Sequence, residues 1–175
     1  MKLDDLFSIP RPGHEEAGTL DEFMAHPLVA ELRWPRDVVE QWLWEHGRNA
    51  HFLYDYGTVQ LDNISWSLET LPAADLVTTP TGLSEGDLLD INAADHAHWV
   101  RVRPVEIRQA WDQTGTWLRP PILIERALLT PPADGLQVIE GRTRLGILRG
   151  RHRDRLLVAD YHHAWVGQRS HDDAH

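Results

Sequence analysis

The chain has 175 residues, a formal net charge of −10, 42% hydrophobic side chains, eight tryptophans and no cysteine. This composition suits one folded core with room for a small appended subdomain and argues against disorder; the missing cysteine excludes disulfides, thiolate metal sites and cysteine nucleophiles. No apolar run nears the ~20 residues of a membrane span, and the acidic start Met1-Lys2-Leu3-Asp4-Asp5 lacks a secretory core, so a bacterial cytoplasmic protein without a membrane partner is expected.

Residues 1–33 are loosely patterned, with Pro10, Pro12 and Gly13 as breaks and one short helix over Leu20–Met24. A firmer helix is predicted from Pro35 to His46. Proline at the first turn, Asp37 at the positive dipole end and an apolar face of Val38, Val39, Trp42 and Leu43 all agree, with Gly47 as the stop. Asn49 is the expected N-cap of a second helix reaching Tyr54. Trp42, Trp44, Phe52, Tyr54 and Tyr56 make this pair strongly aromatic, as a docked core element would be.

Ile64, Trp66 and Leu68 alternate with Ser65, Ser67 and Glu69, the mark of a half-buried strand. Leu71–Leu76 reads as a turn with one helical turn, and residues 78–98 as a long connection. A helix is predicted over Pro104–Thr114, with Val105, Trp111 and either Ile107 or Arg108 inward, closing at Gly115. Pro120 and Pro121 introduce a buried strand over Ile122–Ile124. Pro131–Gly135 turns the chain into a second one, Leu136–Ile139. An arginine-rich helix follows to about His152, and Leu156–Ala159 is the expected last strand. Residues 168–175 form a tail.

Charge is unevenly spread. Residues 1–100 carry 18 acidic and 5 basic side chains, whereas residues 101–175 carry 9 acidic side chains and 12 arginines. Between 141 and 155 six arginines face one acid, Asp154. A local basic patch on an acidic body is unsuited to duplex DNA, where broad phosphate neutralisation supplies the affinity. It suits a phosphorylated small molecule or an acidic partner, and equally a solvated helix face paired with the acidic N-terminal half.

The basic patch begins at a turn. The strand over Leu136–Ile139 breaks at Gly141, and a helix begins around Thr143, with Arg142 and Arg144 on either side. Such a turn leaves backbone N–H groups pointing into one space at the positive end of a helix dipole, which favours an anion. Two arginines and a hydroxyl at that point would suit a phosphate. The same residues have plainer uses. Thr143 can be a cap, Gly141 can serve a positive φ, and Glu140 can pair with an arginine.

The order of elements extends the reading. The helix closing at Gly115, Pro-Pro-Ile-Leu-Ile at 120–124, Val-Ile-Glu-Gly-Arg-Thr-Arg-Leu at 138–145 and Leu-Leu-Val-Ala at 156–159 resemble the ParB/sulfiredoxin-like nucleotide-binding domains. The resemblance covers roughly residues 60–167. It implies an α+β fold, a small mixed sheet with flanking helices over 61–167, preceded by a helical extension over 1–60. It also implies a nucleotide phosphate at Gly141, Arg142, Thr143 and Arg144, with Glu140 as a general base or as a ligand of Mg²⁺ accompanying the nucleotide. Sulfiredoxins need a cysteine in this turn, and none is present. Chromosome-segregation ParB proteins continue into a DNA-reading helix-turn-helix, which is not expected after Gly167. Two functions remain open: a nucleotide- or phosphate-binding domain with phosphotransfer or nuclease chemistry, or a protein-interaction module of the immunity or antitoxin type, docking through its acidic half and its tryptophans.

Histidine pairs at His96/His98 and His162/His163 offer imidazoles, but neither has the spacing of a zinc motif, so no metal site is expected there. No serine–histidine–aspartate triad is arguable.

Overall fold

The computed structural model describes residues 1–10 and 18–170. Pro12, Gly13 and residues 171–175 lie outside the described residues.

After a short 3₁₀ turn, Asp4–Leu6, come α1 (Leu20–Ala25) and α2 (Pro27–Leu32). Thr19 caps α1 in a reciprocal box with Glu22, and Pro27 stands at the first turn of α2, a helix the sequence reading left out. The predicted helix over 35–46 begins as α3 (Arg36–Val38) and continues as a π-helical segment, Val39–Trp44. Its wider winding turns Gln41, Trp42 and Leu43 inward together. Asn49 caps α4 (Ala50–Tyr56) by accepting from the His51 N–H, as its position predicts.

The remaining elements are β1 (Ile64–Pro72), α5 (Ala73–Leu76), α6 (Leu88–Ala94), α7 (His96–Arg101), α8 (Val105–Gln113), β2 (Ile122–Glu125), β3 (Leu136–Glu140), α9 (Arg142–Arg153) and β4 (Tyr161–Arg169). The fold is α+β. Its four strands lie in the order β1-β4-β2-β3. β4 runs antiparallel to β1, from Ile64↔Arg169 to Pro72↔Tyr161, and parallel to β2. β2 and β3 form an antiparallel hairpin with a bulge after Ile122.

Both faces of the sheet are covered, and alternation along the strands decides which core each side chain joins. Ile122, Ile124, Ile139 and Ile64 face the N-terminal helices, where Trp34, Trp42, Phe23, Phe52 and Tyr56 pack. Trp42 stacks on Trp34 at 5.4 Å and meets Trp66 edge-on at 6.0 Å. Leu123, Val138 and Ala164 face the opposite way, onto Leu76, Leu89, Trp111, Leu145 and Leu148. None of the eight tryptophans is exposed, so they serve these cores.

Three expectations change. The connection expected over 78–98 holds α6 and the first half of α7. These helices are short, and they persist because they pack on α9. Gly146 and Gly150 make that approach possible: a Cβ on Gly146 would stand 2.3 Å from Asn92 Cβ, and one on Gly150 2.4 Å from the Ala93 carbonyl oxygen. The last strand lies at 161–169, not 156–159. Leu156 and Leu157 are about half exposed, whereas His162, Ala164 and Val166 are buried in a central strand paired on both sides. Val105 at the start of α8 is exposed, while Trp111 is fully buried.

The α6–α9 contact can be tested at one atom. Gly150→Ala should destabilise the fold by about 1–3 kcal/mol in urea denaturation, because overpacking against a backbone carbonyl outweighs the ~1 kcal/mol helix-propensity gain. A stabilised variant would refute this packing.

Candidate functional site

β3 delivers Glu140 to the turn, Gly141 adopts φ +98°, and α9 starts at Arg142. Glycine is needed here for two reasons. The backbone is left-handed, and a Cβ would lie 2.4 Å from Pro121 Cβ. The Leu145 N–H closes the first helical bond onto the Gly141 carbonyl at 2.9 Å. Among the described residues no capping side chain meets the N–H groups of 142–144, and the Thr143 hydroxyl makes no hydrogen bond.

The charged residues around this turn face one another. Arg142 donates to Glu85 and to Glu140 (3.3 Å), and its guanidinium lies 4.8 Å over the Phe52 ring. Arg144 donates to the carbonyls of Arg119 (2.8 Å) and Pro120 (3.3 Å) and to Gln41 Oε1 (2.7 Å). Burial lowers the Arg144 pKa, and the Glu140 carboxylate, 3.6 Å away, opposes that shift. Glu140 also has His46 Nε2 at 3.5 Å, stacked in turn on Phe52. Farther along the helix, Arg149 binds Asp90 and the Thr79 carbonyl, Arg151 the carbonyls of Trp111 and Leu157, and Arg153 Asp154. Five of the six arginines of the basic patch therefore already bind protein acceptors.

What the turn leaves open is a cleft of about 370 Å³ at the α9 N-terminus. Thr143, Gly141 and Arg144 form one side. Ile107 and Trp111 of α8, with Trp117 and Leu118, form an apolar wall. Gln41, Glu45, Arg103 and Arg119 complete the rim. Arg119 is held by Asp37 and Glu40, both at 2.6 Å, while Arg103 only rests 5.8 Å over the Trp99 ring. Gln41 bonds Asp37 (3.1 Å) and the Pro120 carbonyl (3.1 Å), which ties the N-terminal helices to the strand that enters the site. Arg103, Arg119, Trp117 and Gln41 were not singled out in the sequence. The one local sign was Gln41, a polar residue in an otherwise apolar helical face.

The cleft thus carries three guanidiniums, Arg103, Arg119 and Arg144, against two carboxylates, Glu45 and Glu140. A wider depression of about 460 Å³, lined by Pro72, His152, Leu156 and Tyr161, lies at the opposite end of α9. The negative end of the helix dipole faces it, which disfavours an anion there. Glu140 does not suit Mg²⁺, because its oxygens stand among Arg142, Arg144 and His46. Among the described residues no group of three or more acids or histidines gathers as metal ligands would.

The histidine pairs are separated by the fold. His96 is buried on α7 and meets Asp154 at 2.9 Å, while His98 lies 3.2 Å from Arg101. His162 and His163 alternate across β4, one buried and one exposed. His162 Nδ1 lies 2.7 Å from the Thr116 hydroxyl, its ring packs 4.6 Å from Trp117, and Nε2 has no partner among the described residues. Burial pushes the imidazole pKa down to about 4. An unfolded histidine titrates near ~6.5, so between that pH and 4 the unfolded chain binds a proton that the folded one refuses. Stability should therefore fall as pH drops through this window, by on the order of 3 kcal/mol, and His162→Gln should remove that part of the slope in urea melts at each pH. An identical slope in the variant would contradict the assignment.

No family model matches the chain, and neither does any curated protein or solved structure.

Proposed function

We propose that the protein binds a phosphorylated small molecule, a nucleotide above all, in the cleft at the α9 N-terminus, as a ParB/sulfiredoxin-like domain would. The observation that carries this reading is the coincidence, in one cleft, of an uncapped helix N-terminus, an unbonded Thr143 hydroxyl and an apolar aromatic wall. Phosphate oxygens would take the N–H groups of 142–144 and the Thr143 hydroxyl, where the helix dipole adds a favourable field. Arg103, which has no carboxylate partner among the described residues, would add charge. Trp117, Leu118 and Ile107 would cover the flat part of the ligand.

The division of labour differs from a turn in which every arginine touches phosphate. Arg142 and Arg144 support this reading indirectly, by holding the turn in shape. Glu140, the candidate base, is engaged by the same two arginines, so binding and not turnover is the activity proposed.

Thermal melting with ATP, CTP, GTP and their diphosphates, with and without Mg²⁺, tests this. A ligand that binds only the folded state stabilises it by about 2.7 kcal/mol at a hundredfold excess over Kd, so at least one nucleotide should raise Tm at millimolar concentration. Thr143→Val and Arg103→Ala should keep the unliganded Tm and lose most of the shift. No shift with any nucleotide, or a shift untouched by both variants, would sink the reading.

A further inference from the structure

The two edges of the sheet are treated differently. At the β3 edge the Val138 N–H donates to the Pro80 carbonyl at 2.9 Å, Thr81 bridges to Val138, and the Tyr56 hydroxyl takes the Val138 carbonyl at 3.1 Å. That edge is covered. The β1 edge has nine residues, longer than the ~5–6 of an average strand, and its ladder to β4 runs unbroken. Exposed edges are usually blunted by lysine, proline, a bulge or a covering loop. β1 has no lysine, no arginine and no bulge, and its one proline, Pro72, is its last residue. Its one charge, Glu69, is turned onto its own sheet, where Oε1 accepts from Ser67 (2.8 Å) and Gln168 (2.8 Å).

The hydrogen-bonding parity of this edge follows from its ends. The Ser170 N–H donates to the Asn63 carbonyl and the Ala73 N–H to the Asp160 carbonyl, both in register with the β1–β4 ladder. Odd-numbered residues of β1 therefore aim their backbone groups at β4, and even-numbered ones aim them away. The Trp34 indole N–H, which meets the Ile64 carbonyl at 3.2 Å, confirms the outward parity and closes that end of the edge. The backbone N–H and C=O groups of Trp66, Leu68 and Thr70 face outward, and among the described residues nothing bonds them. Leu68, at the centre of the strand, is 50% exposed.

We propose that β1 is a homodimer edge: a second copy of this chain pairs with it antiparallel about a two-fold axis at Leu68, joining two four-stranded sheets into one. The strand is self-complementary in this register. Leu68 faces its own copy in a hydrogen-bonded pair, and Trp66 and Thr70 exchange bonds with each other. Ser67 lies opposite Glu69, so no like charges meet. Pro72, which lacks an N–H, falls opposite Ile64, whose carbonyl is already taken. A two-fold axis at Glu69 would oppose two carboxylates. Axes at Trp66 or Ser67 would need the occupied Ile64 carbonyl, and one at Thr70 would set Pro72 against Leu68. A second copy therefore fits this edge better than an arbitrary strand, and its contact is isologous, so it closes as a dimer.

A chain without cysteine allows a direct test by single-cysteine cross-linking. In a hydrogen-bonded antiparallel pair the facing Cα atoms are about 5.5 Å apart, within the roughly 4.4–6.8 Å that a disulfide spans. Leu68→Cys should give a covalent dimer under mild oxidation. Ser67→Cys alone and Glu69→Cys alone should not, but an equimolar mixture of those two should cross-link. The unmodified chain should sediment as a dimer at high micromolar concentration, and Leu68→Pro, which removes an outward N–H and none of the bonds to β4, should sediment as a folded monomer. Cross-linking of Ser67→Cys alone would overturn the register. A monomeric parent chain with fast amide exchange at Trp66, Leu68 and Thr70 would overturn the homodimer and leave the edge to a different protein's strand.

Discussion

The guanidinium of Arg144 is the point on which the candidate site depends. It is half-buried at the first turn of α9, and it reaches across to two consecutive backbone carbonyls, Arg119 and Pro120, and to the Gln41 side chain. Those carbonyls precede β2, so one side chain joins the start of α9, the entry to the central strands and the π-helical segment of the N-terminal half. A cation drawn partly out of water is costly unless its hydrogen bonds are met. Here neutral acceptors meet most of them and Glu140 supplies the charge. Gln41 is bound in turn to Asp37, which also takes Arg119 and the Trp165 indole N–H at 2.8 Å. The polar network therefore spans both cores and fixes where the α9 N-terminus points.

Packing supplies the second constraint. α9 lies between the sheet and the α6–α7 pair, burying Leu145 and Leu148 on one side and two glycines on the other. With no side chain at Gly146 and Gly150, the helix backbones approach closely enough to hold two short helices that would not persist alone. The arginines of α9 then reach outward to carbonyls and acids of those neighbours. A basic sequence run thus becomes an internal set of ties, and the charge left at the cleft comes mostly from other segments.

These two constraints explain what was legible in the sequence. The capped helix after Asn49, the hairpin of Ile122–Glu125 with Leu136–Glu140, and the turn at Gly141 were readable because each carries its own local signal: a cap, an apolar run, a glycine that must turn. α6 and α7 were not, since at seven and six residues each is too short for a helical period to recur; the relevant sign was the glycine pair some fifty residues later. The last strand was misplaced because Leu156–Ala159 is the more apolar run. The true strand alternates a histidine, an alanine and a valine inward, a weak pattern that becomes a strand only by pairing on both sides. At the site, spacing along the chain singled out residues 140–144 but not their partners. Gln41, Arg103, Trp117 and Arg119 come from separate segments and meet only in space.

Arg144 works for the fold, so that the helix N-terminus, Thr143 and Arg103 are what the cleft offers a ligand. A double-mutant cycle between Gln41 and Arg144 measures this most directly, with Gln41→Leu, Arg144→Met and the pair compared by urea denaturation. Residues sharing one hydrogen-bond network couple by about 0.5–3 kcal/mol, and a coupling of at least about 1 kcal/mol is expected, with each single variant clearly destabilised. Additive effects with Arg144→Met near the parent stability would contradict it and return Arg144 to the cleft as a free cation.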